Sequence, residues 1–432
     1  MNRIMKKLIE KFKKLTTAKN SLLTLSGNLI SQVMSFIVAV LLGRTMSVAD
    51  YGLYSVLNNI ASFVSDLADM GMNGAITRFV AEYRSKKDLA SEEQLITYSM
   101  KRKIRNLVVV FIVLALVAKP IASIFLKDPQ AYPYVYLVIL TCALSLFVGA
   151  MRAIIQGRQE YEKYFISVVA WNVVWCGVII LLTLTDNMTI AASLVAGVVS
   201  GLVNLVLCKK LVGYDVRQVV KKTDIAPDIK NKFNTFGNWM ILWSIFALLQ
   251  SKLDVFMLAT FTTSEQVSYY DIATKVIKPV LMVITSYGQV LNPLFASMPT
   301  KEDINKQIRT VMKFVSVVSA LIVLAILVVG PAIRLVFGSK YDQSVIPAQL
   351  LLFALIFYVW EMPFNSTLYA VNKPEVFTFA ALLGLIATAI GNYFLLPTMG
   401  AVGAAITYIV AQIIGLAVAF FAYQIIYKKK QE

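Results

Sequence analysis

The chain has 432 residues, of which 58% are hydrophobic and 15% are charged, and its formal net charge is +17. Soluble domains carry about 25% charged residues, so this composition leaves too little polar surface to cover a soluble chain of this length. The composition excludes an ordinary soluble protein. Together with long apolar runs of bilayer-crossing length, it predicts an all-α polytopic membrane protein.

A basic segment, 1–20, begins the chain. No cleavable signal peptide is predicted there, because no early apolar core ends in small residues. A helix lying on the inner leaflet is one interpretation of the segment, and a disordered basic tail is the other. The helix is suggested by apolar residues at helical spacing among lysines: Ile4, Met5, Leu8, Phe12 and Leu15.

Apolar runs of spanning length follow along the rest of the chain. A membrane helix needs about 20 such residues. A kink or a short interfacial helix is expected at "GMNG" (71–74), after the second run. The sequence predicts about 12 transmembrane helices, at 21–42, 52–72, 104–126, 134–156, 164–185, 189–208, 235–261, 268–296, 311–336, 346–370, 376–396 and 401–426.

Lys and Arg concentrate in the loops on one side of these spans. The basic stretches are 84–105, 209–232 and 428–430, in addition to the N-terminus. The positive-inside rule therefore places both termini and these loops in the cytoplasm, with the protein in a bacterial cytoplasmic membrane. The net charge is explained by topology and by attraction to anionic membrane lipids. No nucleic-acid partner is expected, since no soluble stretch is long enough to carry a basic folded domain.

The sequence lacks the residues of several chemistries. It contains no histidine and no G-x-x-x-x-G-K-[ST] loop, which argues against His-based catalysis and ATP hydrolysis by this chain. Cys142, Cys176 and Cys208 are scattered without metal-ligand spacing. The predicted outer loops are too short to hold catalytic groups. We therefore expect no enzyme activity, no cofactor and no metal site.

The hydropathy pattern repeats as six plus six spans. At an offset of 216, Ser47 aligns with Thr263 and Tyr54 with Tyr270, each pair in an outer turn between two spans. Because six is even, both halves begin inside, and parallel repeats usually enclose a central cavity. The predicted organisation is two pseudo-symmetric six-helix lobes, 21–211 and 233–427, joined by a cytoplasmic linker at 212–232 and followed by a tail at 428–432.

The residues also carry a family resemblance. "SGNLISQVMSFIVAVLLGRTMSVADYGLYSV" and "DLADMGMNGAITRFVAEY" resemble the first two helices of Wzx-type polysaccharide flippases, which belong to the multidrug/oligosaccharidyl-lipid/polysaccharide exporter superfamily. "QG" at 156–157 and "LDVFMLATF" with "VSYYDIATKV" match further along the chain. One departure is Ser268, where the family favours Gly. The resemblance implies a MATE-like fold and transfer of a lipid-linked oligosaccharide, usually on undecaprenyl pyrophosphate, to the outer leaflet by alternating access.

The resemblance leaves the substrate open. A capsule, O-antigen or teichuronic-type unit is favoured over the peptidoglycan precursor, whose flippases tend to have extra spans and arginines in the first two helices. A cation-coupled multidrug exporter of the same fold is the main alternative, and a membrane scaffold is a third. Polysaccharide polymerases and glycosyltransferases are the expected protein partners of a flippase.

Charged residues within predicted spans are the candidate site residues, because a charge at a helix centre costs roughly 2.5–3.5 kcal/mol on insertion scales. Lys252, Lys275 and Lys278 are interpreted as a cationic cavity lining for an anionic headgroup. In one alternative interpretation, Asp254 and Lys275 form a structural ion pair between two helices, and in another the lysine side chains extend to the outer membrane interface. Asp271 precedes Lys275 at i,i+4 on the same stripe, the favourable orientation for an ion pair.

The first half of the chain and the tenth span add further candidates. Arg78 and Arg152 have two interpretations. Either they are cytoplasmic-side arginines explained by the positive-inside rule, or they form a phosphate-binding mouth, for which the planar guanidinium is suited. The acids have either an ion-coupling or a structural role, and they comprise Asp66, Asp69, Asp254, Asp271 and Glu361.

Overall fold

The computed structural model describes residues 2–213, 226–296, 298, 301–370 and 375–428, and all regular structure within these ranges is helical. The α-helices are α1 Asn2–Thr45, α2 Val48–Asp69, α3 Met72–Ser85, α4 Leu89–Phe125, α5 Tyr132–Gly157, α6 Tyr161–Leu184, α7 Ile190–Val212, α8 Pro227–Phe261, α9 Ser264–Ala296, α10 Lys301–Phe337, α11 Val345–Ala370 and α12 Glu375–Ala422. Short 3₁₀ segments at Pro129–Ala131 and Ser339–Ser344 precede α5 and α11, and a π-helical turn at Tyr423–Lys428 follows α12.

Eight of the described helices are long and apolar enough to cross a membrane, namely α1, α4, α5, α6, α7, α10, α11 and α12. Their surfaces expose large side chains, among them Leu116, Leu184 and Leu335, each more than 75% exposed. Apolar surface of this extent needs a lipid environment. The prediction of an all-α multi-pass membrane protein is confirmed. α12 carries two of the predicted spans and α2, α8 and α9 carry three more, so the number of 12 spans stays a prediction.

The expected interruption at 71–74 is confirmed. Met70 and Gly71 have positive φ angles of 46° and 70°, which end α2 and start α3 in a new direction. The carboxylate of Asp69 accepts a hydrogen bond from the backbone N–H of Asn73 at 3.2 Å, across the break. This bond fixes the first turn of α3, the helix that lines the cavity described below.

A second break divides α12 at Gly400, where φ is 53° and ψ is −130°. The side chain of Gln266 accepts a hydrogen bond from the N–H of Ala401 at 2.9 Å, which satisfies a donor that the break releases. A Cβ atom at position 400 would lie 2.3 Å from Gln266 Oε1. Both the backbone angle and the close approach therefore require glycine.

The chain forms two compact units. Unit 1 comprises Met1–Thr45, Ile60–Ser123 and Asp128–Ile245. Within it, α1 packs on α6, α5 packs on α3 and α7, and α6 packs on α7. Its buried core includes Met72, Ile76, Leu95, Ile155 and Phe233.

Unit 2 comprises Met46–Asn59, Ile124–Lys127 and Phe246–Glu432. Within it, α11 packs on α9, α10 and α12. An aromatic cluster surrounds Tyr341, whose ring centroid lies 6.0 Å from that of Tyr51 and 6.1 Å from that of Phe337. The predicted lobe boundaries stay a prediction, and the predicted linker at 212–232 falls largely on 214–225, outside the described residues.

Candidate functional site

A cavity of about 550 Å³ lies in unit 1 against α3, α5 and α6. We call it the unit 1 cavity. Its charged lining residues are Arg78 and Arg152, so the structure brings these two predicted residues together, and no carboxylate is among the residues that line it. The lining residues are Asn73, Gly74, Thr77, Arg78, Gly149, Arg152, Ala153, Gln156 and Tyr164.

Arg152 is held by a neutral acceptor. Its Nη2 donates to the carbonyl oxygen of Ser167 at 2.7 Å, and Asn204 Nδ2 donates to the same oxygen at 2.7 Å. Its Nε is buried and has no hydrogen-bond partner, and no acid within the described ranges forms an ion pair with its guanidinium. Arg152 therefore keeps its charge and a free donor for an anionic ligand.

Arg78 and Arg158 have different surroundings. The Arg78 side chain is exposed and its guanidinium carbon lies 5.5 Å from the ring centroid of Phe79. Arg158 lies outside the unit 1 cavity. It donates to the buried Glu92 at 2.7 Å and to the carbonyl oxygen of Val212 at 2.8 Å. Arg158 thus joins α4 and α7 and is neutralised by an acid, whereas Arg78 lines the cavity.

The two candidate acids on α2, Asp66 and Asp69, have different surroundings. The Asp66 side chain is exposed, while Asp69 Oδ1 accepts a hydrogen bond from Lys103 Nζ at 2.5 Å. Lys103 is fully buried and also donates to Asn73 Oδ1 at 2.8 Å. Asp69 is therefore one half of a buried ion pair that reaches the cavity wall through Asn73.

Lys103 is a site residue that the charge pattern of the sequence does not single out. It belongs to "KRKIR" (101–105), a run that the positive-inside rule explains without any buried cation. One signal does distinguish it from its neighbours. Ile96, Met100 and Lys103 fall at i, i+4 and i+7, so Lys103 continues the buried stripe of α4.

In unit 2, the pairing of Asp254 with Lys275, one of the alternative interpretations, is not formed. Lys275 forms its ion pair with Asp271, one turn away on α9, and also donates to Tyr51 Oη at 2.7 Å. Tyr51 in turn donates to Asp271 at 2.9 Å. The i,i+4 spacing brings Asp271 and Lys275 onto one face of a single helix, so the pair needs no second helix to close.

Asp254 instead contacts neutral donors. It accepts hydrogen bonds from Tyr270 Oη at 2.9 Å and from Asn392 Nδ2 at 2.7 Å. Lys252, two residues earlier on α8, donates to Asn59 Oδ1 at 3.0 Å. Lys278 is exposed and donates no hydrogen bond to the described part of the chain. Lys278 therefore differs from Lys275, which shares its charge with Asp271.

Glu361 has a similarly neutral environment on α11. Its Oε1 accepts a hydrogen bond from Asn365 Nδ2 at 2.7 Å, and its carboxylate lies against Gly415 of α12. No ion pair involving Glu361 is formed within the described ranges. Asp254 and Glu361 thus share an arrangement in which a proton or a cation can supply the missing positive charge.

The chain is similar to two curated proteins over most of its length. It is 21% identical to the probable low-salt glycan biosynthesis flippase Agl15 of Haloferax volcanii, covering 90% of this chain and 79% of that protein. It is 23% identical to an uncharacterized membrane protein in the cps region of Klebsiella pneumoniae, covering 94% of this chain and 82% of that protein.

Solved structures share the fold. The lipid II flippase MurJ in an inward closed conformation superposes with a TM-score of 0.73 at 12% identity, over 93% of this chain and 87% of that chain. A multidrug resistance MATE family transporter of the MOP superfamily, in an inward-facing conformation, gives a TM-score of 0.73 at 11% identity. The match covers 93% of this chain and 95% of that chain. These likenesses show a common MATE-like architecture.

A family model described as polysaccharide biosynthesis protein matches residues 17–299, more than half of the chain. The match spans the segments in which the resemblance to Wzx-type flippases lies, and that resemblance is confirmed. It also contains the unit 1 cavity and the charged residues of α8 and α9. The chain belongs to the family of polysaccharide biosynthesis proteins.

Proposed function

We propose that this protein is a flippase that moves a lipid-linked oligosaccharide across the membrane by alternating access. Its family and the Haloferax relative, which is named as a glycan biosynthesis flippase, support this function. The proposed substrate carries a capsule, O-antigen or teichuronic-type unit on undecaprenyl pyrophosphate. The proposed location is a bacterial cytoplasmic membrane with both termini in the cytoplasm. The proposed activity is transport, without enzymatic chemistry.

The charge of the unit 1 cavity carries the proposal. Arg78 and Arg152 are its charged lining residues, and a pyrophosphate is the anionic part of the proposed substrate. A guanidinium binds two phosphate oxygens at once. In surroundings of low dielectric its attraction for an anion is several times stronger than in water. A cavity of this charge favours an anionic headgroup over a cationic drug.

Unit 2 supports the same substrate with a smaller set of lysines. Lys278 is exposed, while Lys275 is paired with Asp271. We therefore assign headgroup attraction in unit 2 to Lys278 and a structural role to Lys275, while the role of Lys252 in the cavity stays a prediction from the sequence. Asp254 and Glu361 are the proposed coupling sites, because each is hydrogen-bonded by neutral donors and gains most from binding a proton or a cation.

The test is complementation of a flippase-null strain at matched protein level. Arg78→Gln and Arg152→Gln should each reduce polysaccharide export at least tenfold, since each removes a charge-assisted contact worth about 1.5–3 kcal/mol. Lys86→Gln is the matched control. Lys86 is exposed and pairs with Glu82 one turn away on the surface of unit 1, so its loss should leave export unchanged.

Three results would contradict the proposal. Normal export by the Arg78→Gln/Arg152→Gln double variant would show that the unit 1 cavity does not bind the substrate. Efflux of a cationic dye by the wild-type protein, without complementation of polysaccharide export, would favour the multidrug exporter instead. Rescue of a strain depleted of its lipid II flippase would favour the peptidoglycan precursor as substrate.

A further inference from the structure

We propose that Lys103 is a positioning residue that orients Asn73 as a hydrogen-bond donor to the anionic headgroup in the unit 1 cavity. The inference rests on the proposed function of that cavity. Lys103 does not line the cavity itself. Its role would be exerted through one neighbour, which does.

The first step is the burial of Lys103. Its side chain is 0% exposed, and its Nζ lies 2.5 Å from Asp69 Oδ1, 2.8 Å from Asn73 Oδ1 and 3.5 Å from the carbonyl oxygen of Leu146. These three acceptors satisfy the three N–H bonds of the ammonium group. A buried charge satisfied in this way holds its partners in fixed positions, since any departure would leave a donor unpaired.

The second step is the direction of the Asn73 carboxamide. The oxygen and nitrogen of such a group have nearly the same shape, so their assignment depends on the partners. An ammonium group can only donate, so the Asn73 atom that faces Lys103 must be the oxygen. The nitrogen then points away from Lys103. It donates to no described residue, so both of its N–H bonds are available.

The third step is the place to which that nitrogen points. A Cβ atom built on Gly149 would lie 3.0 Å from Asn73 Nδ2, so the nitrogen rests on the bare backbone of α5. Gly149 and Asn73 both line the unit 1 cavity. Arg152 lies three residues after Gly149, on the same face of α5, and its Nε is also without a partner.

The consequence is a pair of neighbouring donors in the cavity lining. Asn73 and Arg152 both present N–H groups to the cavity, and neither offers a lone pair to a ligand. A phosphate accepts from both donors at once through charge-assisted hydrogen bonds, which are stronger than those to a neutral hydroxyl, whereas an ammonium group has no lone pair and leaves donors facing donors. Lys103 thereby helps to select a phosphate without touching it.

The experiment measures binding of inorganic pyrophosphate to the purified full chain by titration calorimetry. Asn73→Ala should weaken binding about tenfold, as expected for one lost bond to a charged acceptor. The Lys103→Met/Asp69→Asn variant removes the buried pair without leaving a lone charge and keeps an acceptor for the Asn73 backbone. It should also weaken binding about tenfold. Adding Asn73→Ala to that variant should then cost less than twofold, since the carboxamide is no longer held.

Two further variants locate the probe. Arg152→Ala should abolish pyrophosphate binding, because an anion bound elsewhere on this basic protein would not depend on Arg152. Asn106→Ala is the matched control. Asn106 lies one turn after Lys103 and donates to the carbonyl oxygen of Ala68 at 3.2 Å, outside the cavity lining, so binding should be unchanged.

The outcomes separate this inference from the function on which it rests. If the wild-type protein binds pyrophosphate and Arg152→Ala abolishes binding, but Asn73→Ala costs the same tenfold in both backgrounds, Lys103 acts independently of Asn73 and the inference is overturned. If the wild-type protein does not bind the probe, or Arg152→Ala binds normally, the cavity is not a phosphate site. The positioning role then falls with it.

Discussion

Lys275 and Lys278 lie one turn apart on α9, yet their contacts differ. Lys275 closes a cluster with Asp271 and Tyr51, and its ammonium also lies 5.0 Å from the centroid of the Tyr51 ring. Lys278 is exposed and hydrogen-bonds no described residue. The two lysines therefore have different surroundings, which is the basis for proposing a structural role for Lys275 and a role in substrate attraction for Lys278.

We expect Lys275→Gln to lower the amount of folded protein. It would leave Asp271 largely buried without its cation, a change that costs about 3 kcal/mol or more in buried pairs. Lys278→Gln should leave the protein level unchanged and reduce polysaccharide export. Size-exclusion profiles of a fluorescent fusion, together with complementation, measure both effects.

The double variant Lys275→Gln/Asp271→Asn is the control for this prediction. It removes both charges, so the protein level should recover toward that of the wild type. Wild-type levels of Lys275→Gln with lost export would instead place Lys275 at the substrate and overturn the assignment made here.

At this scale the sequence predicts which residue types matter better than it predicts their partners. Arg78 and Arg152 stand out because guanidinium groups beside apolar spans are rare, and they line one cavity. The pairing of Lys275 with Asp271 follows the i,i+4 spacing on one helix, whereas the contact of Asp254 with Asn392 depends on which helices pack together, which spacing along one helix does not reveal. The burial of Lys103 is also hard to predict, because within a basic run the positive-inside rule explains every lysine and does not distinguish a buried one from an exposed one.

At the scale of elements, the break in α12 rests on Gly400. Gly400→Ala should lower the unfolding midpoint, because φ of 53° is strained for alanine and the new Cβ would lie 2.3 Å from Gln266 Oε1. Strain of this kind costs about 1–3 kcal/mol. A thermal unfolding assay of the purified protein measures the shift.

Gly177→Ala is the matched control on α6. Apart from the local backbone of α6, no atom of the described residues lies within 4 Å of the position that its Cβ would take, so the substitution should be neutral or slightly stabilising. An unchanged midpoint for Gly400→Ala would mean that α12 can run through position 400 without the break.

The start of α4 depends on a cap that titrates. Asp88 Oδ1 accepts a hydrogen bond from the N–H of Ser91 at 3.0 Å, and the hydrogen bonds with Ser91 lower the pKa of Asp88. A lowered pKa means that the cap contributes fully above the ordinary aspartate value of about 3.9. The contribution is lost as the pH falls below that value through the folded pKa.

Hydrogen exchange of the Ser91 amide, corrected for its intrinsic rate, should therefore lose protection as the pH drops below about 4. The amide of Ala192 is the control, because it donates to the hydroxyl of Thr189 at 3.1 Å, a cap that does not titrate. Parallel loss of protection at both amides would indicate general unfolding rather than titration of one cap.

At the scale of the whole molecule, hydropathy predicts the helical class because each membrane helix requires a long run of apolar residues. The break at 71–74 is predicted from "GMNG" inside an apolar stretch that continues to Val80. Hydropathy does not predict that Met46–Asn59 belongs to the same compact unit as Phe246–Glu432. That grouping arises from long-range contacts such as Lys340 Nζ to the carbonyl oxygen of Met46 at 2.6 Å, which no local pattern encodes.

The break in α12 also makes a prediction about topology. Its 48 residues would extend about 72 Å as a straight helix, more than twice the apolar thickness of about 30 Å. We therefore expect α12 to cross twice, with the turn at Gly400 outside the cell. Cysteines at the exposed positions Thr398 and Thr263 should react with a membrane-impermeant thiol reagent in intact cells, after the three native cysteines are replaced.

Ser85→Cys, at an exposed position in the basic stretch that follows α3, is the matched control and should react only after the cells are permeabilised. Reporter fusions after residues 215 and 430 should likewise give a cytoplasmic signal. If Thr398→Cys were labelled only in permeabilised cells while Thr263→Cys was labelled in intact ones, α12 would not form two spans. The chain would then cross the membrane fewer than the four times predicted after α9. The second half would no longer contain six spans, and the six-plus-six repeat would fail there.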